Sequence, residues 1–368
     1  MSRDLLLWLV LGLLLALLLP HFYHRLHQAT RSPVQANRPG LYDVARIPYL
    51  DLVAGDHSTD QKVLKQMKKY GFFYVTQIPD YDSYKELELL KKFFNLPTDV
   101  KYKVAVTKHN PANSNVYRGY GPAMDNINTQ YKEVFNIGPH EVETETKSYS
   151  TAKKISVERN VWPVTDDNSF DEEFKHTFQK GFSIRKTVAQ SVIKCIGRAL
   201  HAPQLIERFK HHEFSTLGLR KYPKRGSTGG SSKTVSSFDG EMLTELEHVD
   251  STVTVLTTFS NPGLQALYKG VYEDVDPTGD SFIINIGALL EDITESQIMA
   301  VRHRVKDIQR ERFSIPFFFN PSFDADISSS IHGKKTPAGE HSETFGEWMT
   351  QYLPAVEPIL LRGNALLG

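Results

Sequence analysis

The segment "HVDSTVTVLTT", residues His248 to Thr258, decides the fold. In it, a histidine and an aspartate, two residue types that can bind metals, directly precede a run of threonine and valine. β-Branched residues favour a strand, where their side chains pack well on a pleated surface. Side chains two positions apart on a strand project from the same face. We therefore predict that His248 and Asp250 lie on one strand and face the same side, as joint binding of a metal ion requires.

Two further histidine-x-acid triplets occur in the chain, His211-His212-Glu213 and His341-Ser342-Glu343. Such triplets are usually solvated surface residues. The pair His248 and Asp250 differs from them in its downstream context, because "VRHRVKDIQRERFS" supplies His303, 53 residues after Asp250. Two histidines and one carboxylate are the ligands that bind Fe(II) in enzymes that activate O2. We predict that these three residues form such a site.

An R-x-S pair, Arg312 and Ser314, follows His303 closely. A guanidinium binds a carboxylate through two parallel, charge-assisted hydrogen bonds. A hydroxyl two residues further along a strand faces the same way. The pair therefore predicts a dicarboxylate cosubstrate.

Length and composition are typical of a globular protein with a small-molecule partner. The chain has 368 residues, of which 40% are hydrophobic, enough for one large domain or two modest ones. The 43 basic residues balance the 43 acidic ones, so no overall field attracts nucleic acid. The single cysteine, Cys195, excludes an internal disulfide and a cysteine-cluster metal site, and it is interpreted as a small core residue.

The N-terminal segment is of a membrane type. "LLLWLVLGLLLALLL", Leu5 to Leu19, approaches with its flanks the roughly 20 residues that cross a bilayer. A cleaved signal peptide is the alternative, but the bulky, basic residues that follow favour a retained single-pass anchor over residues 1–23. The positive-inside rule then places the catalytic domain in the cytosol, at an endomembrane such as the endoplasmic reticulum, because the linker 24–40 carries Arg25, Arg31 and Arg38.

Apolar spacing predicts helices in the first half of the domain and strands in the second. We expect strands at "ARIPYLDL" and "FFYVTQI". We expect helices at "STDQKVLKQMKKYG", "DSYKELELLKKFFNLP" and "DEEFKHTFQKGFSIRKTVAQSVIKCIGRAL". Short β-rich runs follow: "TLGLRKYP", "TVTVLTTF", "LQALYKGVYEDV", "DSFIINIG", "VRHRVK" and "RFSIPFFF". This order predicts a mainly β, α+β fold, with an N-terminal α/β layer at 41–210 and a β-rich core with the C-terminal segment at 211–368.

A loop rich in glycine and serine, "KRGSTGGSSKTVSS" from Lys224 to Ser237, separates two predicted strands. It is either a disordered surface loop or, since it precedes the metal motif, a lid over the site.

Several motifs together resemble the isopenicillin N synthase-like family of 2-oxoglutarate- and Fe(II)-dependent dioxygenases. They cover roughly residues 45 to 355 and are "IPYLDL", "KKYGFFYVTQIP", "FFNLPTDVKYKV", "YRGYGP", "KEVFNIG", "LRKYP", "HVDSTVTVLTT", "PGLQAL", "INIGALL" and "HRVKDIQRERFSIPFFFNP". The resemblance implies a distorted double-stranded β-helix, or jelly roll, with flanking helices, and a monomeric enzyme that oxidises a small molecule, by default hydroxylating it, with release of succinate and CO2.

The same resemblance assigns roles to single residues. It implies that His248, Asp250 and His303 bind Fe(II), with no catalytic side chain beyond these ligands. Arg312 and Ser314 would bind the distal carboxylate of 2-oxoglutarate, and Tyr222 would assist them. The other reactant is O2, with ascorbate as an optional reductant. Asn285 and Gly287 are interpreted as turn and packing residues, and Phe318 as a core residue outside the site.

The chain departs from the family pattern at two places. Arg220 stands where plant members usually have asparagine, two positions before the tyrosine, and the segment from Tyr222 to His248 is longer than usual. Two alternatives to the main hypothesis stay open. One is an iron oxidase of the same family that does not use 2-oxoglutarate. The other is an inactive, membrane-tethered binding protein on this fold.

Overall fold

The structure is a computed structural model that describes residues 40–41, 43–123, 131–140, 149–210, 212–224, 235–237 and 239–356. Residues 41–268 and 272–368 form one compact unit as far as they are described, and residues 269–271, in a hairpin turn, are grouped outside it. The predicted anchor and nearly all of the predicted linker lie outside the described residues. Within the described part of the chain, no helix is long and apolar enough to cross a membrane.

The described chain is a sheet-rich α+β fold with two sheets. The strands are β1 (Arg46–Pro48), β2 (Phe72–Thr76), β3 (Gly119–Gly121), β4 (Glu133–Ile137), β5 (Thr216–Tyr222), β6 (Val235–Ser236), β7 (Met242–His248), β8 (Val253–Thr257), β9 (Leu264–Tyr268), β10 (Val271–Asp274), β11 (Phe282–Ile286), β12 (His303–Lys306) and β13 (Arg312–Phe319). One sheet has the order β1-β2-β11-β8-β13-β5-β4-β3, and the other β10-β9-β12-β7-β6. Apart from the parallel pair β1 and β2, the strand pairs described are antiparallel.

Helices cover the larger sheet. They are α1 (Tyr49–Ala54), α2 (His57–Lys69), α3 (Ser83–Phe94), α4 (Thr98–Lys103), α5 (Thr151–Ser156), α6 (Asn168–Ala199), α7 (Ala288–Ile293) and α8 (Phe345–Val356), with short 3-10 helices at Pro203–Phe209 and Ala338–Glu340. The long helix α6 packs on β8 and β13. Phe182 of α6 meets Phe317 of β13 edge to face, with ring centroids 4.9 Å apart. The main core therefore lies between this helix and the sheet.

Most of the predicted elements are found where the sequence places them, with one clear error. "ARIPYLDL" was expected to be a strand, but the strand ends at Pro48 and Tyr49 begins α1. Leu52 is buried there and α1 packs on α6. The periodicity of this short apolar run fits both a helix and a strand, and the contact with α6 favours the helix. The predicted division at 210/211 falls between the first 3-10 helix and β5, inside one compact unit, and stays a prediction.

Cys195 is a buried residue of α6, as the sequence indicates. Its thiol lies 3.8 Å from the carbonyl oxygen of Leu52. Burial raises the pKa of this thiol to about 12. The residue therefore belongs to the core and has no reactive character.

Candidate metal and cosubstrate site

The three predicted metal ligands lie together. His248 is the last residue of β7 and His303 the first of β12, and the two face each other as antiparallel partners. Each histidine Nε2 lies 3.8 Å from Asp250 Oδ1. One ligand atom from each residue lies within 4.8 Å of the others, and the described residues contain no second cluster of this kind. Three donors converging at this separation can bind one metal ion.

The hydrogen bonds of both imidazoles present Nε2 to the cluster. His248 Nδ1 lies 2.8 Å from the carbonyl oxygen of Leu246, and His303 Nδ1 lies 3.2 Å from that of Val301. A carbonyl oxygen only accepts, so the proton of each neutral ring stays on Nδ1. The lone pair on Nε2 is then free for a metal, which is the usual arrangement of metal-binding histidines.

Asp250 is oriented in a similar way. Its Oδ2 accepts hydrogen bonds from the Thr254 hydroxyl at 2.6 Å and from the Asn285 amide at 2.7 Å, which leaves Oδ1 toward the histidines. The backbone of Asp250 is also tightly packed, because a Cβ at Gly287 would lie 2.3 Å from its carbonyl oxygen. Asn285 and Gly287 were interpreted as turn and packing residues. The structure adds that they position a metal ligand.

The charges of the cluster match those of metal ligands. Burial opposes ionisation of Asp250, but His303, His248 and the bonds from Thr254 and Asn285 together hold the pKa of its carboxyl below the usual value. Burial, with His248 alongside, lowers the pKa of His303. An ionised carboxylate and a neutral imidazole are the forms that bind metal.

The geometric reason given for pairing His248 with Asp250 was wrong. The strand β7 ends at His248, and Asp250 lies in the connection before β8 begins at Val253. The two side chains therefore do not share a strand face. They meet because β7 turns sharply into β8 while His248 pairs across the sheet with His303.

Arg312, Ser314 and Tyr222 line the same cavity. Arg312 of β13 pairs with Tyr222 of β5, and Ser314 with Arg220. Arg312 is 2% exposed, and its Nη1 has no hydrogen-bond partner among the described residues. A buried guanidinium with an unused donor is a site that a carboxylate would complete.

Tyr222 has a partner that the sequence did not reveal. Its hydroxyl donates to Oε2 of Glu245 at 2.8 Å, while Lys132 Nζ lies 2.6 Å from Oε1 of the same carboxylate. The tyrosine ring stands 5.0 Å from the Arg312 guanidinium carbon. Because the hydroxyl proton goes to Glu245, the predicted contact of Tyr222 with 2-oxoglutarate stays a prediction.

The cavity has a volume of about 290 Å³, and its remaining walls include residues that sequence reasoning left out. Phe318 lines it, contrary to the expectation that this residue belongs only to the core. The two-residue periodicity of a strand could have predicted this position of Phe318. Every second residue of β13 from Arg312 onward lines the cavity: Ser314, Pro316 and Phe318. Helix α8 adds a wall that could not be placed from sequence, formed by Met349, Tyr352 and Leu353.

The other candidates of the sequence do not join the site. His341 is exposed and belongs to no metal-binding cluster of the described residues, and His211 lies outside those residues. Most of the loop from Lys224 to Ser237, residues 225–234, also lies outside them. Whether that loop is a lid stays untested.

Comparison with known proteins agrees with this geometry. The model of the 2OG-Fe(II) oxygenase superfamily matches residues 222–321, and the N-terminal model described as non-haem dioxygenase in morphine synthesis matches residues 47–165. Isopenicillin N synthase of Lysobacter lactamgenus is 26% identical over 333 residues, 83% of this chain and 94% of that protein. The 2-oxoglutarate-dependent dioxygenase tropC of Talaromyces stipitatus is 25% identical over 316 residues, 80% of this chain and 93% of that protein.

A solved structure has the same fold. A full-length Neurospora crassa protein, crystallised in complex with alpha-KG, aligns with a TM-score of 0.68 at 23% identity, covering 88% of this chain and 99% of that one.

Two histidines and a carboxylate that converge on one point are the ligand set typical of non-haem iron oxygenases. With both family models matched in order along the chain, the protein belongs to the 2OG-Fe(II) oxygenase superfamily and is related to isopenicillin N synthase. It is thus an oxygenase-family enzyme whose metal is Fe(II) and whose cosubstrate is 2-oxoglutarate. The resemblance inferred from the sequence motifs is confirmed.

Proposed function

We propose that the protein is an Fe(II)- and 2-oxoglutarate-dependent dioxygenase that hydroxylates a small organic molecule. The observation that carries the proposal is one cavity lined by His248, Asp250 and His303 and by the buried Arg312, whose Nη1 has no partner within the described part of the chain. A metal cluster alone fits many enzymes. A guanidinium in the same cavity whose Nη1 has no hydrogen-bond partner among the described residues favours a reaction that needs a carboxylate cosubstrate.

The residues present fit both groups. His248, His303 and Asp250 Oδ1 would hold Fe(II), for which this donor set is typical. Arg312 and Ser314 would hold the distal carboxylate of 2-oxoglutarate. Bound together, iron and 2-oxoglutarate supply oxidising chemistry in which a substrate R–H, O2 and 2-oxoglutarate give R–OH, succinate and CO2.

The chain's own contribution is positioning and exclusion of water. Thr254 and Asn285 keep Asp250 Oδ2 occupied, so that Oδ1 faces the two histidines and would be free for the metal. In the cavity, the substrate would contact a largely apolar surface formed by Phe214, Phe318, Met349, Tyr352 and Leu353. Tyr352 donates to the carbonyl oxygen of Val249, between two metal ligands, at 2.8 Å, and so ties α8 to the site. An apolar wall fixed to the metal turn would hold one C–H bond in place.

The finer fold and the location of the protein belong to the same proposal. The two largely antiparallel sheets, with ligands on β7 and β12 and the anion-binding pair on β13, support a jelly roll, and the monomeric state stays a prediction. The apolar segment from Leu5 to Leu19 supports a single-pass anchor with the catalytic domain in the cytosol. The test is the double variant Leu13→Arg/Leu14→Arg, in the middle of this segment. This double variant should move the protein from alkali-washed membranes to the supernatant, because each arginine costs roughly 2.5–3.5 kcal/mol at a bilayer centre. Retention of this variant in the membranes would contradict the anchor.

The test is an anaerobic titration of the purified protein with Fe(II) and then 2-oxoglutarate. The expected result is a weak visible charge-transfer band, followed on admission of O2 by succinate. Hydroxylation itself requires incorporation of one oxygen atom from labelled O2 into a product found by screening small molecules. The exposed His341→Ala variant is the matched control and should behave as the wild type.

Two outcomes would redirect the proposal. Oxygen consumption without succinate would favour the iron oxidase that does not use 2-oxoglutarate. Failure of the wild-type protein to bind Fe(II) would favour an inactive binding protein on this fold.

A further inference from the structure

The cosubstrate end of the cavity contains a buried acid that no motif indicates. Glu245 of β7 lines the cavity, and its carboxylate is held by Lys132 and Tyr222. Burial alone would raise the pKa of Glu245, but Lys132, His248 and the hydrogen bonds from Lys132 and Tyr222 hold this pKa far below the usual range. A negative charge therefore stands in the same pocket as the arginine that is to receive a carboxylate.

An uncompensated charge at this place would oppose the proposed ligand. The Tyr222 hydroxyl donates to Glu245 and the Arg312 guanidinium lies over the Tyr222 ring, so the acid and the guanidinium share one neighbour. Glu245 also acts on Arg312 directly, since burial lowers the pKa of that guanidinium while Tyr222 and Glu245 act to raise it. Like charges in a desolvated pocket repel strongly. Lys132, whose side chain is only 4% exposed, is the cation that neutralises Glu245.

We propose that Lys132 and Glu245 are positioning residues that set the preference of this pocket for a dicarboxylate. Lys132 cancels the charge of Glu245, and Glu245 fixes the Tyr222 hydroxyl against it. Arg312 is thereby left with a net positive charge for the distal carboxylate of the incoming ligand. This inference rests on the proposed function, because it concerns the binding of 2-oxoglutarate.

The chain offers a matched control. Lys101, Glu133 and Tyr120 form a second buried triad of the same residue types, in which Lys101 Nζ lies 2.7 Å and the Tyr120 hydroxyl 2.6 Å from Glu133 Oε2. This second triad does not line the cavity. A merely structural role of a lysine–glutamate–tyrosine triad would be the same in both places.

The experiment measures anaerobic binding to the Fe(II)-loaded full chain by calorimetry with two probes. One is 2-oxoglutarate, and the other is 2-oxopentanoate, which has the same carbon chain without the distal carboxylate. Lys132→Met should weaken 2-oxoglutarate binding by about tenfold to a hundredfold, as expected for an uncompensated buried charge. It should change 2-oxopentanoate binding by less than about threefold, because that probe has no charge at this end.

Two further variants complete the test. Lys132→Met/Glu245→Gln should restore 2-oxoglutarate binding to within about tenfold of the wild type, because the repelling charge is gone. Lys101→Met should leave the ratio of the two affinities unchanged. If Lys132→Met does not fold, Glu245→Gln alone decides, since it should shift the ratio toward 2-oxoglutarate.

Equal weakening of both probes by Lys132→Met, no recovery in the double variant, or an unchanged ratio in Glu245→Gln would overturn the inference. These failures differ from failure of the proposed function, in which the wild-type protein would bind neither Fe(II) nor 2-oxoglutarate.

Discussion

The two ends of the cavity are built differently. At the metal end, His248 and His303 lie at strand ends and Asp250 in the connection between β7 and β8. Neutral groups orient them: backbone carbonyls, a hydroxyl and an amide. At the anion end, Arg312 and Tyr222 are cross-strand partners in the larger sheet, and charged side chains surround them. The metal end thus depends on turns and neutral hydrogen bonds, and the anion end on strand register and charge balance.

Because of this difference, amino-acid substitutions at the two ends of the cavity should have different consequences. A neutral hydrogen bond that is lost at the metal end loosens a ligand without creating a new charge. A side chain lost at the anion end leaves a buried charge without its partner, which costs more than the contact itself. Substitutions at the two ends should therefore affect different ligands and by different amounts.

The largest effect is expected at the metal end, from loss of a ligand. Asp250→Ala removes the one anionic donor and should lower the affinity for Fe(II) more than about a thousandfold, well beyond the effect of losing an outer partner. Metal analysis after desalting measures it. A charge-transfer band that persists in Asp250→Ala would show that this residue is not a metal ligand. His341→Ala is the control.

Arg312→Leu should weaken the binding of 2-oxoglutarate without affecting that of Fe(II). Loss of the buried guanidinium should weaken 2-oxoglutarate binding by about a hundredfold, because a charged partner of the ligand is removed from a desolvated pocket. Fe(II) affinity should stay near that of the wild type. The exposed Arg310→Leu, two residues earlier, is the matched control, and unchanged succinate formation in Arg312→Leu would contradict a role in cosubstrate binding.

A smaller effect is expected from the amide that orients Asp250. Asn285→Ala leaves Oδ2 with one hydrogen bond and should reduce the affinity for Fe(II) by about tenfold, as is typical for an outer partner of a metal ligand. Competition with a chelator of known affinity measures this change. The conservative Thr254→Ser keeps its hydroxyl and should remain close to the wild type, so equal losses in both variants would indicate a general disturbance of the turn.

The smallest effect on ligand binding is expected from Tyr222→Phe. Because the tyrosine proton goes to Glu245, 2-oxoglutarate affinity should fall by less than about threefold, while the free energy of unfolding should decrease by about 1–2 kcal/mol as Glu245 loses a partner. Denaturant titration and calorimetry measure the two quantities. A loss of affinity comparable to that of Arg312→Leu would show that the hydroxyl turns to the ligand.

The contrast between the ends also explains what the sequence could predict. The ligand set, the R-x-S pair, the order of elements and the long helix α6 follow from spacing and residue chemistry. The approach of Glu245 and Lys132 does not, because Lys132 precedes β4 and Glu245 lies on β7, and only the way the strands and sheets pack brings them together. The place of helix α8 against the cavity could not be predicted for the same reason. Sequence periodicity predicts helices and strands, but it does not predict how these elements pack against one another in the tertiary structure.

The pairing of His248 with His303 has a consequence for the synthesis of the protein. The two imidazoles stand 55 residues apart in the chain, yet they are direct neighbours across two strands. A nascent chain that has not yet delivered β12 presents one imidazole and one carboxylate, and closing the intervening loop costs entropy before any contact compensates for it. The complete set of three ligands therefore exists only after β12 has paired with β7. Binding of the metal by all three residues would report that this long-range pairing has formed.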